Sequence, residues 1–377
     1  FGGRDRICFL DPKGAPLDTI ECHSAVNELD FNPSSGQVAL AMRDGTVRIW
    51  DDDGTQPHFL RLSDGLLRAV DWHPDGNHLA VAGVDRAIRV RDLGSGSQIV
   101  LSGHQGDILA LDWSPDGKLL ASGSYDRTVR LWDEGGSLTR TLGGQHGSVQ
   151  DVAWSPSGKM LASNGEHAMM LFSPDGKVQT NTEPTGHNDF AVAWAPDGQM
   201  IAASGWPHNF ALMASDGRLV RKIRAPDGAA QGRLPQNSPL DWSPDGRWIL
   251  TGGTDMCVHL WCPDGRPGSV MRQHRGALSS VAFSPDGRFI ASAGGDSTLV
   301  LWDTKSNEAQ WVGLLLDGEQ FITLFPGVQE ILGDPKTIEK ELVYLVEQPD
   351  ESVELLSPKR FASLSDGELP PNGRAAE

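Results

Sequence analysis

Several things are scarce in this chain, and each scarcity removes a class of function. Cysteine appears four times in 377 residues (Cys8, Cys22, Cys257, Cys262), with no CxxC pair. That argues against a thiolate metal site, a paired-thiol redox centre and a disulfide framework. No metal or cofactor is expected, and so little cysteine suits a reducing, cytoplasmic compartment. Positive charge is also short: 32 Lys and Arg stand against 50 Asp and Glu, a net charge of −18. Phosphate backbones and anionic membranes would repel such a surface, so neither is an expected partner. No run of about 18 apolar residues is present, so no helix is expected to span a bilayer. No secretory leader is read at Phe1, and that start marks the chain as a piece of something longer. The catalytic signatures HExxH, GxSxG, the Walker loop and a GxGxxG opening a helix are missing. The reading is therefore non-enzymatic.

Gly (44) and Pro (24) are abundant, as many tight turns between short strands require. The glycines are periodic. Turn glycines fall at Gly36, Gly76, Gly117, Gly158, Gly198, Gly246 and Gly287, at spacings of 40, 41, 41, 40, 48 and 41. A fixed period of that size signals a repeat architecture. The clearest copy is WSPDGKLLASGSYDRTVRLWD, 113–133. In it Pro115 presets φ, Asp116 caps locally and Gly117 takes the left-handed turn. Alternating and small apolar residues predict four strands, at 107–113, 118–122, 128–132 and 138–142.

Gly103-His104 before the first strand, SPDG after it and Trp132-Asp133 closing the third together resemble the WD40 repeat family. The same frame covers 24–311 as seven full units. The resemblance implies an all-β, closed β-propeller of four-stranded antiparallel blades. It also implies a hydrogen-bonded tetrad within a blade, which here would be His104, Ser122, Asp126 and Trp132, and again His274, Ser292, Asp296 and Trp302. The sixth unit keeps Thr251, Asp255 and Trp261 without a matching His. The fourth has His146, Ser163 and Phe172. The fifth is the most degraded, with Ala203, Pro207 and Met213 in place of Ser, Asp and Trp. It is expected to be held by burial and to be the softest.

The ends raise the question of blade number. Residues 6–10 and 15–20 read as the last two strands of a unit, and 321–325 and 331–332 as the first two. Pairing them closes an eighth blade and hides the sheet edges. Eight blades are therefore expected, with seven the alternative and a propeller domain over 1–347. Residues 341–346 and 352–356 read as a hairpin, and the tail to 377 as partly disordered. The extra residues between Gly198 and Gly246 lie within 224–239, either a tolerated insertion or a partner-contact loop.

Repeated turn aspartates read as structural. Asp51-Asp52-Asp53-Gly54 lacks the spacing of a calcium loop and reads as a solvated turn. The resemblance implies docking on the top face, by residues flanking the tetrad Asp. The candidates are Arg43, Arg86, Tyr125, Arg127, His167, Trp206, His208 and Met256, with Glu166 and Thr254 beside them. Trp206 is read as a loop residue, either a hot spot or a plug for the failed tetrad. The favoured function is a non-catalytic protein- or peptide-binding sensor module. The regular units resemble bacterial WD40 arrays within larger signalling or effector proteins. The alternatives are a passive scaffold and a propeller hydrolase. The hydrolase needs polar ligands on first-strand positions, where Ala110, Val149 and Ala191 stand.

Overall fold

Each 41-residue unit folds as the alternation of its residues dictates. In blade three the strands Ile108–Trp113, Leu119–Ser124, Val129–Asp133 and Leu138–Leu142 pair antiparallel in order. Along the first strand Ile108, Ala110, Leu111 and Trp113 are buried while Leu109 and Asp112 are half-buried, and the second strand is small and buried on both faces. The SPDG turn closes on a hydrogen bond from Gly117 N to Ser114 O at 2.8 Å, with Gly117 at φ 71°.

A computed structural model describes residues 25–54, 58–145, 147–165, 169–181, 187–206, 208–223 and 239–315, together with strands at 6–10, 16–21, 321–325, 330–333, 344–347 and 353–356. It contains seven blades. Their first strands are Val26–Phe31, Leu67–Trp72, Ile108–Trp113, Val149–Trp154, His187–Trp194, Leu240–Trp242 and Leu278–Phe283. Each first strand contacts the next around a closed ring, and the seventh contacts the first. Core clusters bridge successive blades, so no blade buries its faces alone.

The seven-blade arrangement corrects the preference for eight. Among the described residues Arg6–Leu10 and Pro16–Glu21 pair only with each other. Phe321–Phe325 and Glu330–Gly333 are strands, but they extend blade seven from its fourth strand, Ala309–Leu315, into a six-stranded sheet. Direct closure makes an eighth blade unnecessary. Blades one and seven share one core cluster, including Leu29, Leu40 and Trp50 from one and Leu299, Leu301 and Trp311 from the other. Ser279 Oγ donates to Val26 O at 2.7 Å, and Leu29 N donates to Ser280 Oγ at 3.1 Å.

The turn at 51–54 is part of this closure rather than simply solvated. Trp311 Nε1 donates to Asp52 O and Thr323 Oγ1 to Gly54 O, both at 3.0 Å. Gly54 sits at φ 76°, where an added Cβ would lie 3.0 Å from the Trp311 ring. Tyr344–Glu347 and Val353–Leu356 form the hairpin expected there. The insertion at 224–238 and the tail beyond 356 lie outside the described residues.

Candidate functional site

The site candidates stand on the turns between second and third strands, and hydrogen bonding fixes those turns. In blade three His104 Nδ1 bonds Asp126 Oδ2 at 2.7 Å and its Nε2 bonds Ser122 Oγ at 2.8 Å. Trp132 Nε1 donates to the same hydroxyl at 2.9 Å. Burial pushes the His104 imidazole down, against the opposing pull of Asp126. Burial would raise Asp126, but hydrogen bonds from Thr128, Gln105 and His104 bring it down to about 2. Blade seven repeats the set: His274 bonds Asp296 at 3.1 Å and Ser292 at 2.7 Å, and Trp302 Nε1 bonds Ser292 at 2.7 Å.

Blades without the loop histidine hold the same Asp differently. In blade six Trp261 Nε1 donates to Thr251 Oγ1 at 2.9 Å, and His259 Nε2 reaches Asp255 Oδ2 at 2.7 Å. His259 belongs to the third strand, Cys257–Trp261. Arg89 takes Asp85 at 2.6 Å in blade two, and the buried Arg48 takes Asp44 at 3.6 Å in blade one. All three side chains occupy one register position, opposite Thr251, Val81 and Leu40. The sequence frame finds no histidine for blade six because the replacement comes from inside a strand.

The Asp anchor positions the residue after it. Arg86, Arg127 and Met256 have φ of 64°, 67° and 63°. Their amides close the turn onto Gly83, Ser124 and Gly253 carbonyls at 3.3, 3.1 and 3.2 Å. Blade one puts Gly45 at the same place, with φ 84°. A non-glycine residue there costs on the order of 1 kcal/mol, a cost that blade seven also bears with the buried Ser297 at φ 57°. Arg43, Arg86 and Arg127 are exposed on adjacent blades. Tyr125 is 47% exposed and Met256 41%. Arg68 lies 5.8 Å from the Tyr125 ring centroid and 3.5 Å from Asp107. Among the described residues Arg86 and Arg127 pair with no carboxylate.

Blade five departs from its expected place. Its second and third strands, Met200–Trp206 and His208–Ala214, run on until only residue 207 separates them. Trp206 therefore lies on a strand, opposite His187, and His208 pairs Gly205. With no Asp to anchor a wider turn, the strands continue to Trp206 and from His208. The side chains of Trp206 and His208 lie outside the described residues, as do His146, Glu166 and His167. Burial does hold this blade: Phe210 and Leu212 share a cluster with Trp242 and Trp261, and Phe210 packs edge-on to Trp261.

The sequence reading missed the carboxylates of the channel. Asp30, Asp71, Asp112, Asp151, Asp241 and Glu28 all lie on first strands, the innermost of each blade. Each accepts from the backbone of the next blade. Asp30 bonds Trp72 N at 2.8 Å, Asp71 bonds Trp113 N at 2.6 Å, and Asp112 bonds Trp154 N. Asp151 bonds Val192 N at 2.7 Å, Asp241 bonds Phe283 N at 2.8 Å and Glu28 bonds Val70 N at 2.8 Å. Burial raises every one of them. Asp30 is pushed up to about 6, Asp151 and Asp241 to about 7. Glu28, Asp71 and Asp112 are raised well above their ordinary values, burial first and then repulsion from neighbouring carboxylates. Ala110 and Val149, at first-strand positions where a hydrolase would need polar ligands, pack in the core between blades. The legible signal was the acid before the aromatic in ELDF, AVDW, ALDW and PLDW, recurring at the repeat period.

Compared with known families, the chain matches the family described as WD domain, G-beta repeat over residues 14–51, 55–92, 96–133, 136–178, 240–262 and 265–303, more than half its length. Blade five falls between these matches, as the loss of its Ser, Asp and Trp explains. No curated protein matches the chain.

Proposed function

Because this chain belongs to the WD40 repeat family, a propeller fold typically used for protein–protein interaction, we propose that it is a non-catalytic module holding an acidic protein or peptide segment on the turns of blades one to three. One observation carries the reading. Arg86 and Arg127 are kept in left-handed backbone that glycine fills more easily, exposed and without a carboxylate partner among the described residues. Arg43 and Tyr125 continue the same rim. Arginine and tyrosine on a rigid frame suit a protein contact. A reducing, cytoplasmic setting is part of this reading, on the scarcity of cysteine alone.

The raised channel carboxylates favour a second reading, a channel hydrolase. Against it, each already accepts from a neighbouring blade, and the pattern recurs in five blades, as a structural device does.

Affinity purification with wild type and the double variant Arg86→Gly, Arg127→Gly, followed by mass spectrometry, tests the proposal. Glycine is blade one's own residue here, so the melting temperature should hold or rise. The expected result is a protein recovered by wild type and at least about tenfold depleted with the variant, the loss that removing a hot-spot side chain gives. Equal recovery from both, or from neither, contradicts it.

A further inference from the structure

The turn joining the first two strands of blade two carries a group of side chains its sister turns lack. His73 stands where blades three, four, six and seven have Ser114, Ser155, Ser243 and Ser284, and His78 stands where blade three has Leu119. In blade three the serine alone serves the turn: Ser114 Oγ donates to Asp116 at 2.8 Å and accepts from Leu119 N at 3.0 Å. Imidazoles are therefore not needed for folding it.

Their geometry has a different sense. His73 Nδ1 lies 3.0 Å from Asp75 Oδ1, and His78 Nδ1 lies 2.7 Å from Asp75 Oδ2. One ligand atom from each of the three residues falls within 4.8 Å of the other two. Asp75 N donates to His73 Nδ1 at 3.1 Å, so that nitrogen carries a lone pair. The hydrogen is then on Nε2, which donates to Gly117 O at 3.1 Å. A ring N–H held by a backbone carbonyl is the contact that orients metal-ligating imidazoles. Asp75 Oδ1 lies 3.0 Å from the same Nδ1, so a cation taking that lone pair in place of the Asp75 N–H draws the ring nitrogen and the carboxylate onto one ion. Solvent reaches the group, since the His78 side chain is 41% exposed.

We propose that His73, Asp75 and His78 form a binding site for a divalent transition metal of the zinc class, at the end of blade two opposite the Arg86 turn. Two imidazoles and one carboxylate suit zinc, nickel or copper better than magnesium or calcium. Tetrahedral bonds of about 2.0–2.2 Å set neighbouring ligand atoms about 3.3–3.6 Å apart, so the His73–Asp75 and His78–Asp75 pairs need only open slightly around an ion, and three protein ligands leave a position for water. Asp255, Cys257 and His259 form a second cluster of suitable atoms. There the thiol already accepts the Arg272 guanidinium at 2.7 Å, and His259 is engaged in its turn. That cluster serves as the control.

Zinc chloride is titrated into the full chain by calorimetry, with melts run in parallel, for wild type, His73→Ser, His78→Leu and Cys257→Ser. The first two install residues of sister blades, and a zinc-free melt checks that they fold. Wild type is expected to bind one zinc per chain and to melt higher with it. His73→Ser and His78→Leu should each weaken binding at least about tenfold and remove the melt shift, while Cys257→Ser does neither. No saturable zinc binding by wild type overturns the proposal. So does binding that survives in both histidine variants, or that is lost only in Cys257→Ser.

Discussion

At the residue scale one hydroxyl joins each complete tetrad. Ser122 Oγ sits between His104 Nε2 and Trp132 Nε1, and Ser292 does the same between His274 and Trp302. Trp132 is 2% exposed and packs in the cluster that joins blades two and three. Trp132→Ala should therefore destabilise by about 3–5 kcal/mol, measured by denaturant unfolding. A loss below about 1 kcal/mol, the scale of an ordinary surface change, would show that the tetrad does not hold the blade. These residues were legible because each type recurs at a fixed offset from the SPDG turn. Arg48, Arg89 and His259 were not legible, since a charged or polar residue in a strand interior gives no sign of which loop carboxylate it meets. Asp51 to Gly54 misled for a similar reason. A polar turn looks solvated until Trp311 and Thr323, far along the chain, dock on its carbonyls.

At the element scale the strands follow from alternation and turn chemistry, and their bounds in blade three fall within a residue or two of the sequence reading. What the strands do to each other is less visible. A carboxylate on an innermost strand satisfies an N–H of the adjacent blade, which a blade considered alone leaves open. Such a bond joins blades one to two, two to three, three to four, four to five and six to seven, while Ser280 joins seven to one. These acids should give stability a definite pH dependence. Asp30 at about 6, and Asp151 and Asp241 at about 7, stand above the ordinary 3.8. The folded state thus favours their protonated forms. Their contribution is fully present below the ordinary value and is lost as pH rises through 6 to 7. Asp126, at about 2, works in the opposite sense in acid, as pH falls towards that value, and the buried His104, held below its ordinary 6.5, opposes the six carboxylates as one group when pH falls through 6.5. The melting temperature should therefore rise as pH is lowered from about 8 to 5.5, and Asp151→Asn should flatten the slope. A melting temperature that falls over that range would contradict the channel assignment.

At the scale of the whole molecule, incomplete slices make a ring because each lends its neighbour a face. The period of the glycines revealed the slices and their number between 24 and 311. It could not reveal how the ring closes, since strands near both ends match the repeat and a pairing between them satisfies every local rule. Geometry decides instead. The first and seventh blades already meet through Ser279, Ser280 and one shared core, and the strands after residue 320 extend blade seven. That direct closure keeps the turns of blades one to three rigid beside one another. Removing residues 1–21 and recording the thermal melt tests it most directly. A ring of seven blades predicts a single cooperative transition at the full-length temperature. A lowered or broadened transition would mean that the N-terminal hairpin is part of the ring.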